Sequence, residues 1–272
     1  MHLNFDFSAR QILWTLTFAA QLVLLVVLLG RNRAQRFPWF TTGIVLFALR
    51  LMAEVLLSGR IAMVNLQEIL LVMNDLVAIV GLLVLVEVAR RGFAGAGHLT
   101  WINGSMALVV ASGLLLLLWG PWPAWRSLAP DTLLGRLRLM QWAAQKVDAF
   151  GYLVAVGLGV LVVVFGSRFK AGWRSHAQMI VIGLSAVGIV WLTLQKVWQN
   201  ISQTMHPHTQ QEYQHVISLG STLMRVNDIT YLAALLWWIA WLWLDEPGAA
   251  GQIPASVSDN DAPAGAAMDK ED

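Results

Sequence analysis

The 272-residue sequence contains no cysteine. That absence excludes disulfides, thiolate-held metals, iron–sulfur clusters and thiol catalysis, while leaving the compartment open. Charge is scarce as well. Only 12% of residues are Asp, Glu, Lys or Arg, against about 25% in soluble domains. No block of Lys and Arg builds a nucleic-acid surface; the basic residues sit in separate short connections, and no nucleic-acid partner is expected. The even alternation of a transmembrane barrel is missing too, which leaves helices as the only way to satisfy backbone polar groups in lipid.

What is abundant is apolar surface. Hydrophobic residues make up 57% of the chain, with 14 Trp among them and a mean hydropathy of +0.62. A helix needs about 20 apolar residues to cross a hydrocarbon core ~30 Å thick. Seven stretches meet that demand: Ile12–Gly30, Pro38–Leu57, Leu66–Val88, Trp101–Trp119, Trp142–Gly166, Met179–Trp198 and Val216–Leu244. The expected fold is an all-α polytopic membrane protein, a seven-helix bundle over residues 1–244. Residues 245–272, rich in Ala, Gly, Pro, Asp and Ser, are expected to form a disordered acidic cytoplasmic tail.

Orientation follows from the connections. Arg31, Arg33, Arg36, Arg90, Arg91, Arg168, Lys170 and Arg174 all fall on one side, and an excess of Lys and Arg marks the cytoplasmic face. The N-terminus is then outside and the C-terminus inside. The first apolar run is followed, not preceded, by Arg residues, so it reads as a retained helix rather than a signal peptide. Arg136 and Arg138 on the opposite side fit the start of the fifth helix. The Trp-rich segment 120–136 reads as a strip lying in the interface. A compact, loop-poor chain of this kind reads as a multi-pass protein of a bacterial inner membrane, its Asn200-Ile201-Ser202 sequon accidental.

Ionisable groups at membrane depth are expensive and usually face a bundle interior or a water-filled cavity. Counted from the cytoplasmic end at ~1.5 Å per residue, Arg50 lies about 18 Å up its span, Asp75 about 20 Å and Glu54 about 24 Å. Lys146, Asp148, Lys196, Arg225 and Asp228 come out at about 24–28 Å and Glu68 at about 30 Å. All fall in the outer half. Arg50 and Glu54 are i, i+4; Gln145, Asp148 and Tyr152 form a stripe on the fifth span; Gln195 adds a polar edge to the sixth. The expectation is an outward polar pocket of Arg50, Glu54, Asp75, Lys146, Asp148, Tyr152, Gln195, Arg225 and Asp228. It would take a small polar or zwitterionic ligand, with Arg50 or Arg225 for a carboxylate and Asp75 or Asp228 for an amine. Helices one and four lack such charges and are expected at the lipid-facing periphery.

His206, His208 and His215 with Glu212 are weak candidates for a metal site. No cofactor is expected, since no His lies mid-membrane to ligate haem. The plan is similar to that of rhodopsins and G-protein-coupled receptors in topology alone. The last helix lacks the deep Lys a retinal Schiff base needs, offering only Arg225, and the receptors' extracellular disulfide is impossible without Cys. The His ligands of ceramidase-type membrane hydrolases are missing as well. Met73-Asn74-Asp75-Leu76 and Val226-Asn227-Asp228-Ile229 echo one another, as a three-plus-one-plus-three repeat similar to that of sugar-transporter-like proteins would require. The leading expectation is a non-enzymatic, receptor-like sensory module signalling through a cytoplasmic protein partner. A solute or proton-coupled transporter, and a complex subunit or membrane-embedded enzyme, are the alternatives.

Overall fold

The computed structural model describes residues 9–92, 100–119, 133–165, 175–205 and 209–245. Among them there are eight helices and no strand. The helices are α1 (Ala9–Gly30), α2 (Arg33–Arg36), α3 (Pro38–Leu57), α4 (Met63–Gly92), α5 (Thr100–Trp119), α6 (Leu133–Phe165), α7 (His176–Thr204) and α8 (Gln210–Trp243). Arg136 and Arg138 lie on the first turns of α6. Residues 246–272, and with them nearly all of the expected acidic tail, lie outside the described residues, as does most of the Trp-rich segment 120–136.

Five helices are long and apolar enough to cross a membrane: Gln11–Gly30, Pro38–Leu57, Met63–Gly92, Gly135–Val164 and His176–Thr204. By length and composition they mark the chain as membrane-embedded. The expected fourth and seventh spans form helices but are not among the five. In α5 the described apolar run is the short Gly104–Leu115. In α8 the first half carries Gln, Glu, Arg, Asn and Asp, and the apolar stretch is confined to its C-terminal half.

Local chemistry sets the helix ends. Asn32 adopts φ 54°, the left-handed conformation that Asn tolerates better than most residues, and this turns the chain out of α1. Pro38 occupies the first turn of α3, where its missing N–H costs nothing. Ser175 caps α7 by accepting the Gln178 N–H at 3.3 Å. Thr209 and Glu212 form a reciprocal capping box at the start of α8, satisfying two donors that lipid could not.

Six helices close a ring in the order α1, α3, α4, α6, α7, α8 and back to α1, with α5 packed on the outside against α6. Consecutive long helices run up and down. Hence α1 and α8, the first and last, lie side by side in parallel: Gln21 meets Tyr231 near the middle and Arg31 meets Asp245 at one end. The ring falls into two three-helix halves, α1–α3–α4 and α6–α7–α8, and a half-turn carries each neighbour pair of one half onto a pair of the other.

The peripheral place expected for the fourth span agrees with α5. The same expectation for the first span is corrected, because Gln21, Leu24 and Leu28 of α1 are all 0% exposed. Charge did not predict this. Between membrane helices, association rests on close packing and interhelical hydrogen bonds rather than on polarity contrast with lipid. Gly183 on α7 illustrates the packing: a Cβ there would collide with the Trp238 indole of α8. Phe40 and Trp238 meet edge-on across α3 and α8, with ring centroids 5.2 Å apart. The side chains at 0% exposure, including Phe37, Val88, Ile180, Leu235 and Leu242, gather in the half of the ring nearer Arg31 and Arg91, called here the basic end.

Candidate functional site: a polar layer across the ring

Just beyond that apolar plug lies a band of polar and aromatic side chains to which all six ring helices contribute. On α1, Gln21 Nε2 donates to the Tyr231 hydroxyl of α8 at 3.3 Å. Tyr231 stacks on Phe47 of α3, with centroids 4.9 Å apart, and the Arg50 guanidinium lies 5.7 Å from the Phe47 ring centroid. Asn74 of α4 hydrogen-bonds Asp148 of α6, and the charges of Asp75 and Arg50 act on that carboxylate. One turn on, Tyr152 of α6 packs on Trp191 of α7 at 4.8 Å, and it also feels both Asp148 and Tyr231. Gly188 of α7 makes this approach possible, since a Cβ there would stand 3.2 Å from the Tyr152 carbonyl oxygen.

The layer holds unsatisfied groups. Gln21 Oε1, Arg50 Nε and Asn227 Oδ1 are buried with no hydrogen-bond partner. Nor does Arg50 have a carboxylate within ion-pair distance among the described residues. Buried orphan donors and acceptors cost about 1–3 kcal/mol each, so an arrangement that keeps three of them together is primed to receive a polar partner.

The structure thus brings together four of the nine expected pocket residues: Arg50, Asp75, Asp148 and Tyr152. Glu54 is half-buried one turn farther along α3, and Gln195 is half-buried one turn past Trp191. Lys146 is half-buried with its Nζ 5.8 Å from the Trp142 ring centroid. Arg225 and Asp228 are exposed, whereas the half-buried stripe of α8 runs through Asn227 and Tyr231. His206 and His208 lie outside the described residues. His215 is exposed on α8, and among the described residues no three His, Asp or Glu groups gather as a metal site would need. Sequence reasoning missed Gln21, Phe47, Trp191 and Asn227. Gln21 could have been found as a lone amide in an otherwise apolar run, the residue type that hydrogen-bonds across membrane helices.

A second polar assembly closes the basic end. Glu87 of α4 is 7% exposed; its Oε2 accepts the Phe40 N–H at 3.1 Å and its Oε1 lies 3.6 Å from Arg91. Arg91 and Arg36 both lie over the buried Phe37 ring, at 5.1 and 5.7 Å. Asp245 Oδ1 receives Arg31 at 3.4 Å and Arg33 at 3.3 Å, and Arg31 also covers Trp243 at 5.2 Å. His176 Nε2 lies 3.0 Å from the Leu244 carbonyl oxygen. Compared with protein-family models, curated proteins and solved structures, the chain shows no match.

Proposed function

We propose that the chain is a seven-helix membrane protein, N-terminus outside and C-terminus in the cytoplasm, that binds a small zwitterionic ligand at the polar layer as a receptor-like module of the cell membrane. The observation that carries this reading is Arg50. It is a permanently charged guanidinium at the middle of the ring with no carboxylate partner, facing the two acids Asp75 and Asp148. A ligand carboxylate would complete Arg50, and its ammonium group would sit between the acids, with Tyr152 and Trp191 as aromatic walls. The packing supports access from the far end only: the basic half is filled by fully buried apolar side chains, while residues beyond the layer are mostly half-buried or exposed. Signal output would pass to a protein partner at the basic end.

The cysteine-free chain gives a direct test. Single replacements Asn74→Cys and Tyr152→Cys are expected to react with a membrane-impermeant thiol reagent from outside, and Val84→Cys in the plug from neither side. Amino-acid-like zwitterions that raise the melting temperature should protect both positions, and Arg50→Gln should abolish protection. Absence of labelling at both layer positions would make the band a dry structural network and defeat the reading.

The two-half ring favours a second reading, a solute transporter. Binding sites of repeat-built transporters lie near the midplane where the halves meet, and Asn74 and Asn227, in the two echoing segments, both reach that level. Solute uptake by proteoliposomes that is lost in Asp75→Asn would decide for transport over reception.

A further inference from the structure

Five guanidinium groups, those of Arg31, Arg33, Arg36, Arg90 and Arg91, gather at the basic end against the carboxylates of Glu87 and Asp245 among the described residues. Glu87 is committed inside the bundle, capping α3. Asp245 is different. Its side chain is 74% exposed, and it is held by Arg31 and Arg33 on the surface side. Arg33 itself is only 14% exposed and its Nε is buried without an acceptor, so the site has more donor capacity than Asp245 fills. Two exposed tryptophans frame the cluster: Trp39 on the first turn of α3, 43% exposed, and Trp243 beneath Arg31, 55% exposed. Tryptophan prefers the headgroup level of a bilayer, which sets the depth of the cluster.

We infer that the Arg31–Arg33–Arg36 cluster is a binding site for the phosphodiester of an anionic lipid, and that Asp245 is its built-in competitor. The planar guanidinium forks match phosphate oxygens two at a time. Basic pockets among helices at the cytoplasmic side are suited to anionic headgroups. The Asp245 carboxylate shows that an anionic oxygen fits between Arg31 and Arg33. A phosphate carried by a lipid would arrive at the depth of Trp39 and Trp243 and displace the carboxylate, freeing the start of the C-terminal segment. The site is separate from the polar layer, and its fate does not depend on the ligand reading.

The test uses the full chain, purified in detergent from a mixture of phosphatidylglycerol and phosphatidylcholine, with retained lipids counted by native mass spectrometry. The wild type is expected to retain phosphatidylglycerol preferentially, with a loss of about fivefold in that preference for each of Arg31→Gln and Arg33→Gln. Asp245→Asn is expected to strengthen the preference, a gain that misfolding cannot imitate. Equal retention of both lipids by the wild type, or an Asp245→Asn variant that retains less phosphatidylglycerol, would overturn the proposal. Inorganic phosphate at millimolar concentration is expected not to displace the lipid; full displacement would make this a site for free phosphate and sink the lipid assignment.

Discussion

Glu87 offers the sharpest test of how this bundle is held together. Pro38 has no N–H and Thr41 already donates to the Phe37 carbonyl, so Trp39 and Phe40 carry the free donors of the first turn of α3. Glu87 serves Phe40 from the neighbouring helix at 3.1 Å. A hydrogen bond to a charged group contributes about 1.5–3 kcal/mol, and a negative charge at a partly buried helix N-terminus up to about 2 kcal/mol. The pair with Arg91 adds little, because that side chain is 35% exposed at 3.6 Å separation, and exposed pairs contribute at most about 1 kcal/mol. Glu87→Gln keeps an acceptor for Phe40 and loses the charge, so it should cost about 1–2 kcal/mol. Glu87→Ala also loses the acceptor and leaves a void, and should cost about 3–4 kcal/mol. Arg91→Gln should cost under about 1 kcal/mol. Unfolding by sodium dodecyl sulfate titration in mixed micelles, read by circular dichroism, measures all three. Equal losses for Glu87→Gln and Glu87→Ala, or a larger loss for Arg91→Gln than for Glu87→Gln, would refute the capping argument.

Other outcomes follow from the same packing. Gly183→Ala, which drives a methyl into Trp238, should destabilise by about 1–3 kcal/mol, whereas Gly81→Ala, with nothing within 4 Å, should be neutral or stabilising by up to about 1 kcal/mol; one unfolding series checks both. Tyr231→Phe strands the already under-satisfied Gln21 amide and should cost about 0.5–1.5 kcal/mol, more than Gln21→Leu, which removes the buried amide altogether; the opposite order would mean the bond at 3.3 Å contributes nothing. Cysteines placed together at Gln21 and Tyr231 should cross-link with a short thiol reagent, and a pair at Gln21 and Gly113 should not, since α5 packs outside the ring; gel mobility reads the result.

The positions of the helices were legible because lipid allows so few solutions. The stretch Pro38–Leu57 matches α3 end to end, and the other expected spans each fall on one long helix. Which face of each helix turns inward was much less legible. In a soluble protein polarity separates inside from outside, but here Val26 at 67% exposure and Leu24 at 0% are chemically alike and three positions of sequence do not distinguish lipid from core. Arg50, Asp75, Asp148 and Tyr152 could be grouped from depth alone. Arg225 and Asp228 share that depth yet are exposed, because depth fixes height and not rotation. Gln21 and its partner Tyr231 stand 210 residues apart, and no local pattern links them. Glu87 went unnoticed because an acid one turn before two arginines reads as an ordinary span end, whereas its role depends on the backbone of another helix.

That α1 and α8 are neighbours has a consequence in time. A ribosome delivers α1 first and α8 last, so the face of α1 bearing Gln21, Leu24 and Leu28 must wait for some two hundred further residues before its partner exists. Until then the ring is a horseshoe with an open seam, and Gln21 has no hydroxyl to meet. Closure is therefore a single late event that fixes both flanks at once. A chain cut short before Gln210 would carry every other ring helix and still lack the stave that makes it a barrel of helices.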